Sequence, residues 1–222
     1  MKKHLVDQKV KTLDELGLEF GTDKASNHHD YLRTYEKYLE PLRDKELVFL
    51  ELGFGGHEDP KKGGESIRMW QEYAPDWYIH CVEIEPKENT PDGIYFFNGS
   101  QTDPAIIETI VACNGLIDIC VDDASHQSSL TIKSFENIFP LMKSGGIYIV
   151  EDTHSSLHSF WYGENEANEN PKKNGKKTIT ALNYFKDLTD AVNNSLMKEE
   201  YRSQYEIESI TFLKDLIIIT KL

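Results

Sequence analysis

Residues 46–56 read ELVFLELGFGG, a near-continuous apolar run that stops at Glu51-Leu52 and gives way to closely spaced glycines. A strand buried on both faces needs such a run, and glycines behind it let the chain turn sharply with no Cβ in the way. Helically spaced apolar residues follow at Ile67, Trp70 and Tyr73, and then a second strand-like run, WYIHCVEI, at residues 77–84. Strand, helix, strand means parallel pairing through a right-handed crossover. The pattern repeats outward. Further strand-like runs occupy residues 94–97, 116–121 and 146–151, with helical spacing at Ile106, Ile107, Ile110 and Val111 before the fourth and at Leu130, Phe135, Ile138 and Leu141 before the fifth. Asp103-Pro104 reads as a helix start, with Asp as cap and Pro in the first turn. Residues 143–146, KSGG, read as a helix stop.

The end of the chain breaks the alternation. Residues 178–196 read as one helix, and the strand-like runs 205–210 and 216–220 behind it are too close together for a crossover, so they pair as an antiparallel hairpin. The fold predicted is α/β: a Rossmann-like three-layer sandwich with a mostly parallel seven-stranded sheet and a C-terminal antiparallel hairpin. Residues 10–38 form helical pieces outside this pattern. The expected division is residues 1–44 as an N-terminal helical segment contributing to the cofactor and substrate pocket, and 45–222 as the main domain.

The chain has 222 residues, 39% of them hydrophobic, with 10 Phe, 11 Tyr and 3 Trp, which is ample for a core. Its 24 Lys plus Arg face 38 Asp plus Glu, a net charge of −14 that repels nucleic acid and anionic membranes and points to small-molecule chemistry. No apolar run approaches the roughly 20 residues of a membrane span, and the basic start lacks the apolar stretch of a signal peptide. A cytoplasmic location is expected. Cys81, Cys113 and Cys120 form no CxxC pair and sit among apolar residues, as reduced core thiols do.

The chemistry gathers at the strand ends. Glu51, Gly53, Gly55 and Gly56 close the first strand, at the edge where open α/β sheets bind ligands. Glu83 closes the second, where an acidic side chain accepts hydrogen bonds from the ribose hydroxyls of a nucleoside cofactor. The spacing is not GxGxxG and no Walker A lysine is present, which disfavours NAD and ATP. The fourth strand ends in Asp122-Asp123-Ala124-Ser125-His126 and the fifth in Glu151-Asp152-Thr153-His154. Four carboxylates converging with an imidazole are costly unless a cation neutralises them, and oxygen donors suit Mg²⁺ or Mn²⁺. A His-ligated zinc hydrolase is the rival reading, less suited to a carboxylate-rich set.

These segments together resemble the class I S-adenosylmethionine-dependent methyltransferases, and within them the metal-dependent sugar O-methyltransferases of the macrocin and mycinamicin type. The resemblance runs from Gly21-Thr22-Asp23-Lys24 with His29, Tyr31 and Tyr35, through Glu51-Leu52-Gly53 and Gly63-Gly64-x-Ser66-Ile67-Arg68-Met69-Trp70, to Asp122-Asp123-x-Ser125-His126 and Glu151-Asp152. It implies Asp123, Glu151 and Asp152 as ligands of Mg²⁺ (or Mn²⁺) and His126 as general base. It further implies a site for S-adenosylmethionine formed by Tyr31, Glu51, Gly53, Gly55, Glu83, Ser100, Gln101 and Asp122. The acceptor it implies is a hydroxyl of a small molecule, a glycoside or nucleotide-linked sugar, with no nucleic-acid or membrane partner; a homo-oligomer is admitted. A catechol-like or phosphorylated acceptor and a non-catalytic scaffold subunit are the alternatives.

Other residues have plainer readings. Trp70 and Trp77 read as core, and His154 and His158 as substrate contacts or surface groups. Residues 155–177 are polar after Trp161 and Tyr162 and are expected to form a lid over the acceptor, with the two aromatics against a sugar face.

Overall fold

A computed structural model of the chain describes residues 10–157 and 179–222. They divide into two compact units, residues 10–45 with Glu65–Asp76, and Glu46–Gly64 with residues 77–157 and 179–222. The expected lid, with His158, Trp161, Tyr162 and the helix start at Thr178, lies outside the described residues apart from residues 155–157.

The first unit is helical: α1 (Leu13–Phe20), α2 (Leu32–Leu39) and α3 (Glu65–Tyr73). Thr12 and Glu15 form a reciprocal capping box at the start of α1, and Gly21, at φ +77°, closes its other end in the left-handed conformation that glycine adopts without strain. Leu13, Leu16, Leu32, Tyr35, Leu39, Trp70 and Tyr73 are all buried. A run of stacked rings passes from His29 to Tyr31 (5.1 Å between centroids), Tyr35 (6.4 Å) and Trp70 (6.2 Å). Arg43 fixes the end of α3, its Nε donating to the Tyr73 carbonyl at 2.7 Å.

The second unit is a seven-stranded sheet in the order β3-β2-β1-β4-β5-β7-β6. Its strands are β1 (Leu47–Leu52), β2 (Trp77–Glu83), β3 (Tyr95–Asn98), β4 (Ile117–Asp122), β5 (Met142–Val150), β6 (Ile207–Leu213) and β7 (Leu216–Lys221). The first five pair in parallel, whereas β7 runs antiparallel to both β5 and β6. The predicted Rossmann-like sheet and its terminal hairpin are both present. Every residue of β1 is buried, which is why its apolar run is unbroken. On one face, β1, β4, β5 and β7 pack with α4 (Pro104–Asn114), α5 (Ser128–Ile138) and α6 (Ala181–Asp187) around Ile107, Phe135, Ile138, Tyr148 and Phe185. Trp70 and Trp77 are core residues as read. Asp103 caps α4, accepting from Ala105 N–H, with Pro104 in the first turn.

Three local expectations are corrected. Residues 143–146 do not stop a helix; α5 ends at Ile138 and KSGG lies inside β5, beside the register shift between Ile117 and Ile119. Gly145 takes φ +76° there, so the glycines serve an irregular strand start. The expected helix over 178–196 is α only to Asp187 and continues as 3₁₀ turns through Leu196. Thr189 turns its hydroxyl back to the Lys186 carbonyl at 2.8 Å, competing for a group a regular helix would use, while Asn194 bonds the backbone of Ser203 beyond the segment in both directions. Cys81 and Cys120 are buried free thiols, but Cys113, near the end of α4, is an exposed one.

Candidate active site

The order of the sheet reverses between β1 and β4, the switch point at which open α/β sheets hold ligands beyond their carboxyl ends. Gly53 leaves β1 there at φ +98°, and a Cβ on it would lie 2.2 Å from the Asp123 carbonyl oxygen at the end of β4. The glycine therefore brings two strand ends into backbone contact. Gly53→Ala should cost about 2–5 kcal/mol from overpacking and a strained backbone together, which calorimetry should register as a melting point roughly 5–15 °C lower. An unchanged melting point would mean that the contact gives way easily.

The loop behind Gly53 is folded onto itself. Gly64 N–H donates to the Phe54 carbonyl at 2.7 Å, and Gly63 and Gly64 press on Gly55 and on the Phe54 ring more closely than any Cβ would allow. Glu83, at the end of β2, braces this loop: one carboxylate oxygen accepts from Phe54 N–H (2.8 Å) and the other from Glu85 N–H (2.9 Å). Lys87 adds a bond to the Asp59 carbonyl (3.2 Å) and Asn89 one to that of Gly63 (3.1 Å). Gly53, Gly55 and Glu83 thus form one connected element, beside the fully buried Glu51.

At the ends of β4 and β5, Asp123, His126 and Asp152 each offer a ligand atom within 4.8 Å of the others. His126 Nε2 stands 3.5 Å from Asp152 Oδ2 and 3.9 Å from Asp123 Oδ1. His126 and Asp152 hold φ +56° and +51°, a region that costs a non-glycine residue on the order of 1–2 kcal/mol. Strained residues of this kind gather at functional sites because the surrounding structure over-determines them. Glu151 is buried beside Asp152 but is not part of the 4.8 Å group. The carboxylate oxygens of Asp123 and Asp152 are donors that a hard divalent ion accepts, so the group fits Mg²⁺ or Mn²⁺.

Asp122 is the last residue of β4, directly before Asp123, and is almost fully buried. Burial pushes its carboxyl up to about 7, against the opposing hydrogen bond from the Tyr148 hydroxyl to its Oδ2 (2.9 Å). Gln101 is buried too. Its Nε2 donates to Ser134 Oγ (2.9 Å) and Asp122 Oδ1 (3.3 Å), and its Oε1 accepts from Ser125 N–H (3.1 Å), so this amide ties the chain after β3 to the end of β4. Ser100 sits in the same turn with its hydroxyl against that of Thr102 at 3.0 Å. Tyr31 belongs to the helical unit, buried in the ring stack. Sequence reading missed Tyr148 as the partner of Asp122, and Asp215, whose carboxylate meets His154 at 2.7 Å. An Asp in a tight hairpin turn was the available signal for the latter.

A sheet of this order with a glycine crossing at its switch point and acidic strand ends defines a class. By fold and sequence relationship the chain belongs to the class I S-adenosylmethionine-dependent methyltransferases. No family model matches the sequence. Among characterised proteins, the 8-demethyl-8-alpha-L-rhamnosyl tetracenomycin-C 2'-O-methyltransferase of Streptomyces olivaceus is 32% identical over 187 residues, 84% of this chain and 47% of that protein. Demethylmacrocin O-methyltransferase of Streptomyces fradiae is 31% identical over 85% of this chain and 46% of its own length. The solved structure of the MycE methyltransferase in complex with Mg, SAH and mycinamycin VI superposes with a TM-score of 0.81 at 26% identity, over 96% of this chain and 55% of that one. The chain thus spans about half the length of the curated relatives it matches. Among the described residues, no helix is long and apolar enough to cross a membrane.

Proposed function

We propose that the chain is a cytoplasmic, Mg²⁺-dependent O-methyltransferase that transfers the methyl group of S-adenosylmethionine to a hydroxyl of a sugar or sugar-containing small molecule, a glycoside or nucleotide-linked sugar. The observation that carries the reading is the meeting of Asp123, Asp152 and His126 beside the Gly53 crossing, the nucleotide edge of the fold next to a carboxylate-rich set of donors. The similarity to sugar O-methyltransferases, one of them solved with Mg and SAH, supports it.

In this reading Asp123, Asp152 and the adjoining Glu151 hold the ion. When bound, the ion orients neighbouring hydroxyls and lowers the pKa of one of them. His126 Nε2 then takes the proton that the acceptor oxygen gives up as it accepts the methyl group, and the sulfur keeps the electron pair of the broken bond, leaving S-adenosylhomocysteine. Gly53 and Gly55 let the backbone pass close to the cofactor, and the lone pairs on Glu83 not engaged with Phe54 and Glu85 receive the ribose hydroxyls. Transfer from a sulfonium asks for little beyond placement, so rigid strand ends suit it.

The test is to screen glycosides and nucleotide-linked sugars for S-adenosylhomocysteine release in the presence of Mg²⁺. Release that depends on the acceptor is expected, and its absence from every sugar while a catechol or phosphorylated metabolite turns over would reassign the acceptor. Glu83→Ala should weaken S-adenosylmethionine binding about 10- to 150-fold, the equivalent of roughly 1.5–3 kcal/mol for hydrogen bonds to a charged group. Calorimetry showing unchanged affinity in a folded variant would remove Glu83 from the cofactor site.

A further inference from the structure

We propose that Asp215, at the tip of the β6–β7 hairpin, is a positioning residue for the metal group, fixing through His154 the strained turn that aims the Asp152 carboxylate. The inference rests on the reading of Asp123 and Asp152 as metal ligands. The hairpin strands pair to Leu213 opposite Leu216, which leaves Lys214 and Asp215 as the turn. Asp215 takes φ +64°. Glycine fills such a position at least cost and Asp tolerates it, so what remains to be explained is what the carboxylate does there.

Its hydrogen bonds supply one. Oδ1 accepts from the His154 backbone N–H at 2.6 Å, Oδ2 meets His154 Nδ1 at 2.7 Å, and the Asp215 carbonyl accepts from Thr153 N–H at 3.3 Å. All three reach the two residues directly after Asp152. The turn closes with Ser155 N–H donating to the Asp152 carbonyl at 3.0 Å. Asp152 itself sits at φ +51°, so its side chain points correctly only while its neighbours are held, and Asp215 holds both from a different strand pair. Because Oδ2 accepts from Nδ1, the imidazole is kept as the Nδ1–H tautomer and locked to the hairpin. Metal ligands depend on hydrogen-bonded partners for their orientation, loss of which typically weakens metal binding 10- to 100-fold; Asp215 exerts its hold one step removed, through Thr153 and His154.

The test titrates Mn²⁺ alone into the full chain, following binding by calorimetry and electron paramagnetic resonance, with S-adenosylmethionine affinity and melting temperature measured alongside. Asp215→Gly keeps the left-handed turn and removes the carboxylate. It should weaken Mn²⁺ binding about 10- to 100-fold with S-adenosylmethionine affinity unchanged. Asp215→Asn retains the acceptor for the His154 N–H and loses the one for Nδ1–H, so it should fall between wild type and Asp215→Gly; with His154→Gln it carries the test if Asp215→Gly does not fold. Wild-type Mn²⁺ affinity in the Asp215 variants, alongside loss in Asp123→Asn, would overturn the proposal alone. Parallel losses of Mn²⁺ affinity, cofactor affinity and melting temperature would also overturn it, since they describe a general structural part. Mn²⁺ binding that survives Asp123→Asn would overturn the metal reading beneath it.

Discussion

His126→Ala should lower kcat by about 10²–10⁴-fold, the contribution of a positioned general base, while Mn²⁺ binding and S-adenosylmethionine affinity stay close to wild type. The expectation follows from the placement of the ring. Its Nε2 is 3.5 Å from Asp152 Oδ2, close enough for the carboxylate to stabilise the imidazolium that forms when the proton arrives. The residue sits three positions after Asp123 on the turn leaving β4, and its positive φ fixes the direction in which the ring projects. Steady-state kinetics beside metal titration separate the two roles the geometry allows. If kcat and metal affinity fall together, His126 is a ligand as well. If kcat is unchanged, the proton leaves by another route.

Chelation has the second large effect. Treatment with EDTA should abolish turnover, and added Mg²⁺ should restore it in full. Asp123 and Asp152 repel one another in the absence of a cation, and without an ion nothing in the carboxylate group lowers the pKa of a sugar hydroxyl. The readout is S-adenosylhomocysteine release before and after readdition of Mg²⁺. Undiminished release from metal-free protein would mean that the carboxylates serve the acceptor directly.

The fold was legible because burial on both faces leaves so plain a mark: Leu47 to Leu52 could hardly be anything but a central parallel strand. The carboxyl-edge residues were legible for a related reason, since parallel strands deliver all their ends to one side and Asp123, His126 and Asp152 need no knowledge of loops to be brought together. What escaped was set by side chains far apart in sequence. Gln101 meets Asp122 across 21 positions, Tyr148 meets it across 26, and Asp215 meets His154 across 61; periodicity carries no trace of such pairs. The break after α6 escaped for a local reason. Thr189 and Asn194 are tolerable in a helix by propensity, and only the hydrogen bonds they find show that they leave it.

His126 and Asp152 are two non-glycine residues in left-handed backbone at a single edge of the sheet. Each would be relieved of on the order of 1 kcal/mol by glycine, and each carries a side chain that glycine lacks. A lineage or a laboratory screen that rewards heat resistance alone is therefore drawn toward replacing the very residues proposed to do the chemistry. Activity has to be selected alongside stability for these two to persist, and thermostable variants of the chain are best sought away from this edge.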